Sequence, residues 1–168
     1  MKVHYFPGYG RAEAIRMILA HAKVPFENVN YTFETLPAAK ASGNLEFGQL
    51  PVLENDGKFY AQSGAILKFL GAKYGYYPQD AFTAWRIDST LDSVNDLVQA
   101  YYKAAFTQDE EAKKELFKTF YETTYTKWLE VISNRLKANS SQKYIVGDKI
   151  TIADIQLAAL AYSTFLNE

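Results

Sequence analysis

The sequence contains no cysteine. Disulfide staples, zinc-thiolate sites and a cysteine nucleophile are therefore excluded, and no metal site is expected. Nowhere does an apolar run approach the roughly 20 residues that span a bilayer, so no membrane partner is expected. Charge of one sign is lacking too: 18 Lys and Arg stand against 19 Asp and Glu, a net charge of -1. The two signs are interspersed along the chain. Nucleic acid is a poor partner for such a chain, because neutralising phosphates needs an excess of cations. Met1-Lys2-Val3-His4-Tyr5 has none of the layout of a signal peptide and leads straight into structure. A cytoplasmic protein is expected. Internal repeats and low-complexity tracts are also absent.

What is present is a globular chain of 168 residues, 48% of them hydrophobic, enough for one compact domain or two small ones. Aromatic residues reach 15%, with 13 Tyr. That content fits a well-filled core, or a pocket with aromatic walls.

Residues 2–6 read as a strand, broken by Pro7, Gly8 and Gly10. Residues 12–23 read as a helix with Ile15, Ile18, Leu19 and Ala22 on one face. Residues 28–33 alternate and predict a strand carrying Val29, Tyr31 and Phe33 on one side. Residues 34–47 predict a long loop with one helical turn. Two apolar runs, 51–54 and 58–61, flank Asn55-Asp56-Gly57, a strong hairpin signal. Ser63 is expected to cap a helix carrying Ile66, Leu67, Leu70 and Tyr74, with Gly75 as its stop. The order βαβ then ββα predicts a four-stranded mixed sheet with packed helices.

Gly75-Tyr76-Tyr77-Pro78 reads as a boundary, and everything after it reads as helix. Ile87, Leu91, Val94, Val98, Tyr101 and Ala105 repeat at three- and four-residue steps over residues 81–106. Thr107 and Glu110 are expected to form a capping box for one long helix carrying Leu116, Phe120, Trp128, Ile132 and Leu136. Asn139-Ser140-Ser141 ends it. A second box, Thr151 and Asp154, opens an apolar helix that runs to about Leu166. The Thr151 hydroxyl is expected to accept from the N–H of Asp154, and the carboxylate to accept from the N–H of Thr151.

Three features offer chemistry. Tyr5 ends the first strand just before a Gly-rich turn into a helix, at the carboxyl edge where open α/β sheets place ligands. A phenol is protonated at neutral pH, so it donates to an anion and does not act as a base. On position alone, a rim or core tyrosine is the commoner outcome. Gln62-Ser63 stands at a helix start, which suits a carboxylate, although a plain cap is commoner. Leu50-Pro51 precedes a strand and marks an edge or turn.

Tyr5-Phe6-Pro7 followed by Gly10-Arg11-Ala12-Glu13 resembles the start of the sigma, pi and mu group of cytosolic glutathione transferases. Phe47-Gly48-Gln49-Leu50-Pro51-Val52-Leu53 is similar to their cis-proline loop, and Gln62-Ser63 with Ala65-Ile66-Leu67 to their glutamate-binding helix start. Thr151-Ile152-Ala153-Asp154 is similar to the box of their late helix. The resemblance, sigma-like and of the tyrosine type, covers the whole chain. It implies a thioredoxin-like glutathione-binding domain (residues 1–75), a linker (76–80) and an all-helical domain (81–168).

The resemblance also implies roles. Tyr5 would donate to the glutathione sulfur, and Arg11 would add positive potential there. Gln62 and Ser63 would hold the γ-glutamyl end, and the backbone of Leu50, before Pro51, would pair with the cysteinyl unit, with Gln49 beside it in the glutathione site. Lys40 would reach the glycine carboxylate, and Asp96 would reach the γ-glutamyl amine held by the partner subunit of a homodimer. Gly8, Tyr9 and Tyr101 would line an acceptor pocket. The implied activity is conjugation of glutathione, as co-substrate, to apolar electrophiles in detoxification. A glutathione-dependent isomerase of the prostaglandin D synthase type, or a non-catalytic carrier, are the alternatives on the same fold. With no cysteine, the thiol must come from the substrate, against an omega-type mechanism. Leu36 departs from the family's tryptophan, which implies weaker hold on the glycine end, and Tyr9 stands where arginine is common. The chain is expected to lack the family's further C-terminal helices, leaving an apolar face on its last helix.

Overall fold

The computed structural model describes residues 1–165. The chain divides into two compact units: Met1–Pro78 together with residues from Ile155 on, and Gln79–Asp154.

In the first unit, β1 (Lys2–Tyr5), β2 (Glu27–Asn30), β3 (Val52–Asn55) and β4 (Lys58–Ala61) form one sheet in the order β2-β1-β3-β4. β1 and β2 run parallel, so the chain must cross over between them. A short 3-10 helix, Gly10–Ala12, and then α1 (Glu13–His21) make that crossover. β3 is antiparallel to both β1 and β4. Between β2 and β3 lies the expected single helical turn, α2 (Leu36–Ala41). The hairpin turns on Asp56 and Gly57, with φ of 51 and 72, the primed geometry that matches strand twist.

The core of this unit is Val3, Val52 and Leu53 from the sheet, Ile15, Ile18 and Leu19 from α1, and Ile66, Leu67 and Leu70 from α3 (Ser63–Tyr74), all buried. Each such side chain contributes about 1.5–3 kcal/mol by leaving water. His4 makes a polar tie across the sheet. Its Nε2 lies 3.0 Å from a Glu54 oxygen on β3, and its Nδ1 3.0 Å from the Tyr31 hydroxyl just past β2.

Two local expectations are corrected here. The strand expected over residues 28–33 is Glu27–Asn30, and Phe33 lies beyond it in a turn. Thr32 and Thr35 close that turn with reciprocal backbone-to-hydroxyl bonds, a local alternative that competes with the ladder. Ser63 is the first helical residue of α3 and not its cap; Gln62, at φ 67, holds the cap position and makes no side-chain bond to the first turn. Gly75 ends α3 in the left-handed conformation, φ 84, as expected.

The second unit contains α4 (Ala81–Ala105), α5 (Glu110–Thr119), α6 (Thr126–Ala138) and the first turn of α7 (Ile152–Leu160). Asp80 caps α4 by accepting from the N–H of Thr83 at 2.7 Å. Ile87, Leu91 and Val94 of α4 are buried as the periodicity predicts, joined by Thr90 and Leu97. The expected Thr107 and Glu110 box is not formed. Asp109 caps α5 instead, accepting from the N–H of Ala112 at 2.8 Å, while the Thr107 hydroxyl donates to the Lys103 carbonyl. The one long helix expected after it is interrupted by a π-helical segment, Phe120–Tyr125. Wider turns free backbone groups, and the Thr126 hydroxyl donates to the Tyr121 carbonyl five residues back. The segment gathers Phe120, Tyr121 and Tyr125 against Tyr101 and Phe117.

At Thr151 and Asp154 the box forms with one partner changed. The carboxylate accepts from the Thr151 N–H at 2.8 Å, as expected, and also from the Thr151 hydroxyl and the N–H of Ile145. The hydroxyl accepts from the N–H of Ala153 at 3.3 Å, not from that of Asp154. α7 continues as a π-type turn over Ala161–Phe165, and the expected helix end at Leu166 lies outside the described residues. No helix among the described residues is long and apolar enough to cross a membrane.

Candidate functional site

Strand register brings most of the candidate residues of the first unit to one sheet edge. His4 pairs with Val52, and Val52 with Ala61. The next residues outward are Tyr5 at the end of β1, Pro51 before β3 and Gln62 after β4. They come from three places far apart in sequence and lie side by side because β3 is antiparallel to both neighbours.

Tyr5 is held by its own turn. Its hydroxyl oxygen accepts the backbone N–H of Arg11 at 3.2 Å. That bond uses a lone pair and leaves the hydroxyl hydrogen for another acceptor. A donor that itself accepts a hydrogen bond is polarised and donates more strongly. The ring fits because residue 10 is glycine: a Cβ there would lie 2.7 Å from the Tyr5 hydroxyl, and its φ is +47. Arg11 is the middle residue of the 3-10 helix and is partly buried.

Arg16 is the residue here that the sequence reading missed. Its guanidinium donates to the Gly8 carbonyl at 2.7 Å, to Glu13 at 2.9 Å and to Asn28 at 2.8 Å. Its central carbon lies 5.8 Å from the Tyr5 ring centroid. One side chain thus ties the Gly8 loop, α1 and β2 around Tyr5. A sequence signal existed: an arginine amid the apolar periodicity of α1, three residues after Glu13.

On the other side of the edge, the Leu50–Pro51 peptide is cis. The Gln62 amide donates to the Gln49 side chain at 3.3 Å, and Lys40 passes within contact range of Gly48. Lys40, Gln49, Leu50, Pro51, Gln62 and Ser63 are therefore neighbours. Gly8 and Tyr9 stand in the loop after Tyr5. The Tyr9 ring packs edge-on against Tyr162, centroids 4.9 Å apart, with the hydroxyls 3.5 Å apart. The bond with Tyr9 pushes the Tyr162 phenol above the ordinary tyrosine range. Tyr162 is a second residue that the sequence reading did not single out. Asp96 and Tyr101 belong to α4 in the second unit, Asp96 exposed and Tyr101 packed against Phe117 and Phe120. Leu36 opens α2.

Residues 1–72 match the family model described as "Glutathione S-transferase, N-terminal domain", and residues 95–167 match "Glutathione S-transferase, C-terminal domain". The chain belongs to the glutathione S-transferase family. Among curated relatives, Glutathione S-transferase A4 of Mus musculus is 37% identical over 157 residues, which is 93% of this chain and 70% of the relative. The prostaglandin synthase D structure of Nilaparvata lugens superposes with TM-score 0.87 at 31% identity, covering 96% of this chain and 79% of its own. Na-GST-3 of Necator americanus, described as monomeric, gives 0.86 at 33% identity, covering 99% and 81%. A thioredoxin-like sheet unit with a helical partner is the fold of this family, and the transferase carries both.

Proposed function

We propose that this transferase activates the glutathione thiol with Tyr5 and adds the sulfur to apolar electrophiles. The observation that carries the reading is the Tyr5 hydroxyl, which accepts from the Arg11 N–H and keeps its own hydrogen to donate at the sheet edge. A free thiol has a pKa near 8.5, so little of it is thiolate at neutral pH. Lowering that by two units needs about 2.7 kcal/mol of anion stabilisation. A charge-assisted hydrogen bond in a dry site supplies much of this, and Arg11 adds positive potential. The thiol proton leaves to water. The thiolate then attacks the electrophilic carbon: a C–S bond forms, and in an aryl halide the C–halogen bond breaks with halide taking the electron pair. Holding both reactants adjacent supplies the rest.

In this reading Gln62 and Ser63 receive the γ-glutamyl end, the backbone of Leu50 before Pro51 the cysteinyl unit with Gln49 beside it, and Lys40 the glycine carboxylate. Gly8 and Tyr9 face the acceptor. The roles of Tyr101 toward the acceptor and of Asp96 toward a partner's ligand rest on the resemblance, as do the sigma-like class, the division at residues 76–80, a cytoplasmic setting and a part in detoxification. A homodimer completes it. Phe47 is 57% exposed in the loop before Pro51, an apolar ring that an isologous contact would cover.

The test is retention on immobilised glutathione followed by conjugation of chlorodinitrobenzene. No retention, and no rate above the spontaneous one, would overturn the reading. The likeness to a prostaglandin synthase supports one other reading, an isomerase for which glutathione is a true cofactor. Stoichiometric disappearance of glutathione during turnover excludes it.

A further inference from the structure

Strand order gives the sheet edge a direction. Crossing it from β4 through β3 to β1 passes Gln62, then Pro51, then Tyr5. If glutathione lies along this line as proposed above, its sulfur stops at β1. The next strand outward is β2, roughly 5 Å further on. Phe33 stands in the turn that follows β2, on this same edge, because β1 and β2 are parallel with Tyr5 opposite Asn30.

Phe33 is 81% exposed. Its ring packs on Phe6 with centroids 5.2 Å apart, and Phe6 packs on Tyr5 at 5.7 Å. The turn that carries it is not loose. The N–H of Thr32 donates to the Thr35 hydroxyl at 2.9 Å, that of Thr35 to the Thr32 hydroxyl at 3.3 Å, and that of Leu36 to the Thr32 carbonyl at 3.0 Å. A tightly bonded turn therefore holds an open aromatic face one strand beyond the tyrosine that meets the sulfur.

We propose that Phe33 is a specificity-determining residue of the acceptor site and selects electrophiles with a flat aromatic body. The inference rests on the function proposed above. A flat ring meets Phe33 in an offset or edge-on arrangement and gains more than its area alone provides. A flexible alkyl chain gains only the area and loses rotamer freedom in doing so.

The experiment measures equilibrium binding of glutathione, S-benzylglutathione and S-hexylglutathione to the whole chain, its Phe33→Ala variant and its Phe33→Tyr variant. The exposure of Phe33 leaves the fold of the variants intact, which circular dichroism checks. The expected result is that Phe33→Ala lowers the benzyl-over-hexyl preference by roughly three- to ten-fold. Glutathione itself should bind within two-fold of the parent, and Phe33→Tyr should keep the preference. An unchanged preference in Phe33→Ala, with glutathione still bound, overturns the role of Phe33 and leaves the function reading standing. A parent chain that binds no glutathione overturns both.

Discussion

At the scale of single residues, the site depends on what surrounds Tyr5. Tyr5→Phe keeps the ring and removes one donor, so bound glutathione should titrate at higher pH. Turnover should fall on the order of ten- to a thousand-fold. A difference-absorbance titration of the bound thiol checks this, and an unmoved midpoint would remove Tyr5 from the mechanism. Gly10→Ala should have a related effect by another route. Its Cβ would sit 2.7 Å from the Tyr5 hydroxyl, so the ring must swing away, and φ of +47 adds roughly 1–2 kcal/mol of backbone cost. We expect turnover to fall by at least ten-fold, with the denaturation midpoint only slightly lower. A variant that unfolds outright, or one that keeps full activity, would contradict this account. Arg16 anchors the neighbouring loop through its bond to the Gly8 carbonyl, and the packing of Tyr9 on Tyr162 supports the same segment.

At the scale of elements, the Thr151 and Asp154 box makes a folding device from groups that look catalytic. Asp154 satisfies three donors at once, the N–H of Thr151, the N–H of Ile145 and the Thr151 hydroxyl. A cap alone contributes about 0.5–2 kcal/mol. Loss of the Ile145 partner adds the cost of an unmet donor, about 1–3 kcal/mol. Asp154→Ala should lower the denaturation midpoint clearly while turnover per folded molecule stays within two-fold. The reverse pattern would show a catalytic residue. Glu54 makes a second element-scale prediction, on the sheet. The hydrogen bond from Lys2, and then that from His4, hold its carboxyl below the ordinary glutamate range. A carboxyl with a lowered folded pKa stabilises the fold above its unfolded value, and that stability fades as pH falls through the folded one. Glu54→Gln should therefore be less stable than the parent at pH 7. The difference should shrink once pH drops below about 4. Urea midpoints measured from neutral to acid pH decide it; a gap that does not narrow would rule out this linkage.

At the scale of the whole molecule, the exposed apolar surface bears on assembly. Phe47 and the pair Phe82 and Trp85 are large, exposed apolar side chains. Scattered singly such residues are ordinary, but Phe47 stands on the loop that carries Pro51, beside the proposed ligand. We expect light scattering to give a dimer at micromolar concentration and Phe47→Ser to shift it toward monomer. A parent chain that is monomeric, as the Necator neighbour is described to be, would end the dimer proposal and with it the role of Asp96.

The sequence by itself determined the order of elements. Each signal was local: Asp56-Gly57 for the hairpin, Gly75 for the stop of α3, apolar spacing for α1 and α4. The motif residues Tyr5, Pro51 and Gln62 were legible too, because each sits where one element ends and another begins. What the sequence misassigned were choices between near-equal local partners. Thr107 lost the cap to Asp109, two residues on, and the Thr151 hydroxyl met Ala153 rather than Asp154. The π-helical segment left no periodic trace, because it is decided by how Phe120, Tyr121 and Tyr125 pack on other rings. Only tertiary structure could place Arg16, whose partners lie on a loop, a helix and a strand. The same holds for Phe33 and Tyr162. A side chain's neighbours across a sheet edge follow from strand order and register, and these are set by burial summed over the whole unit, which no short window of sequence contains.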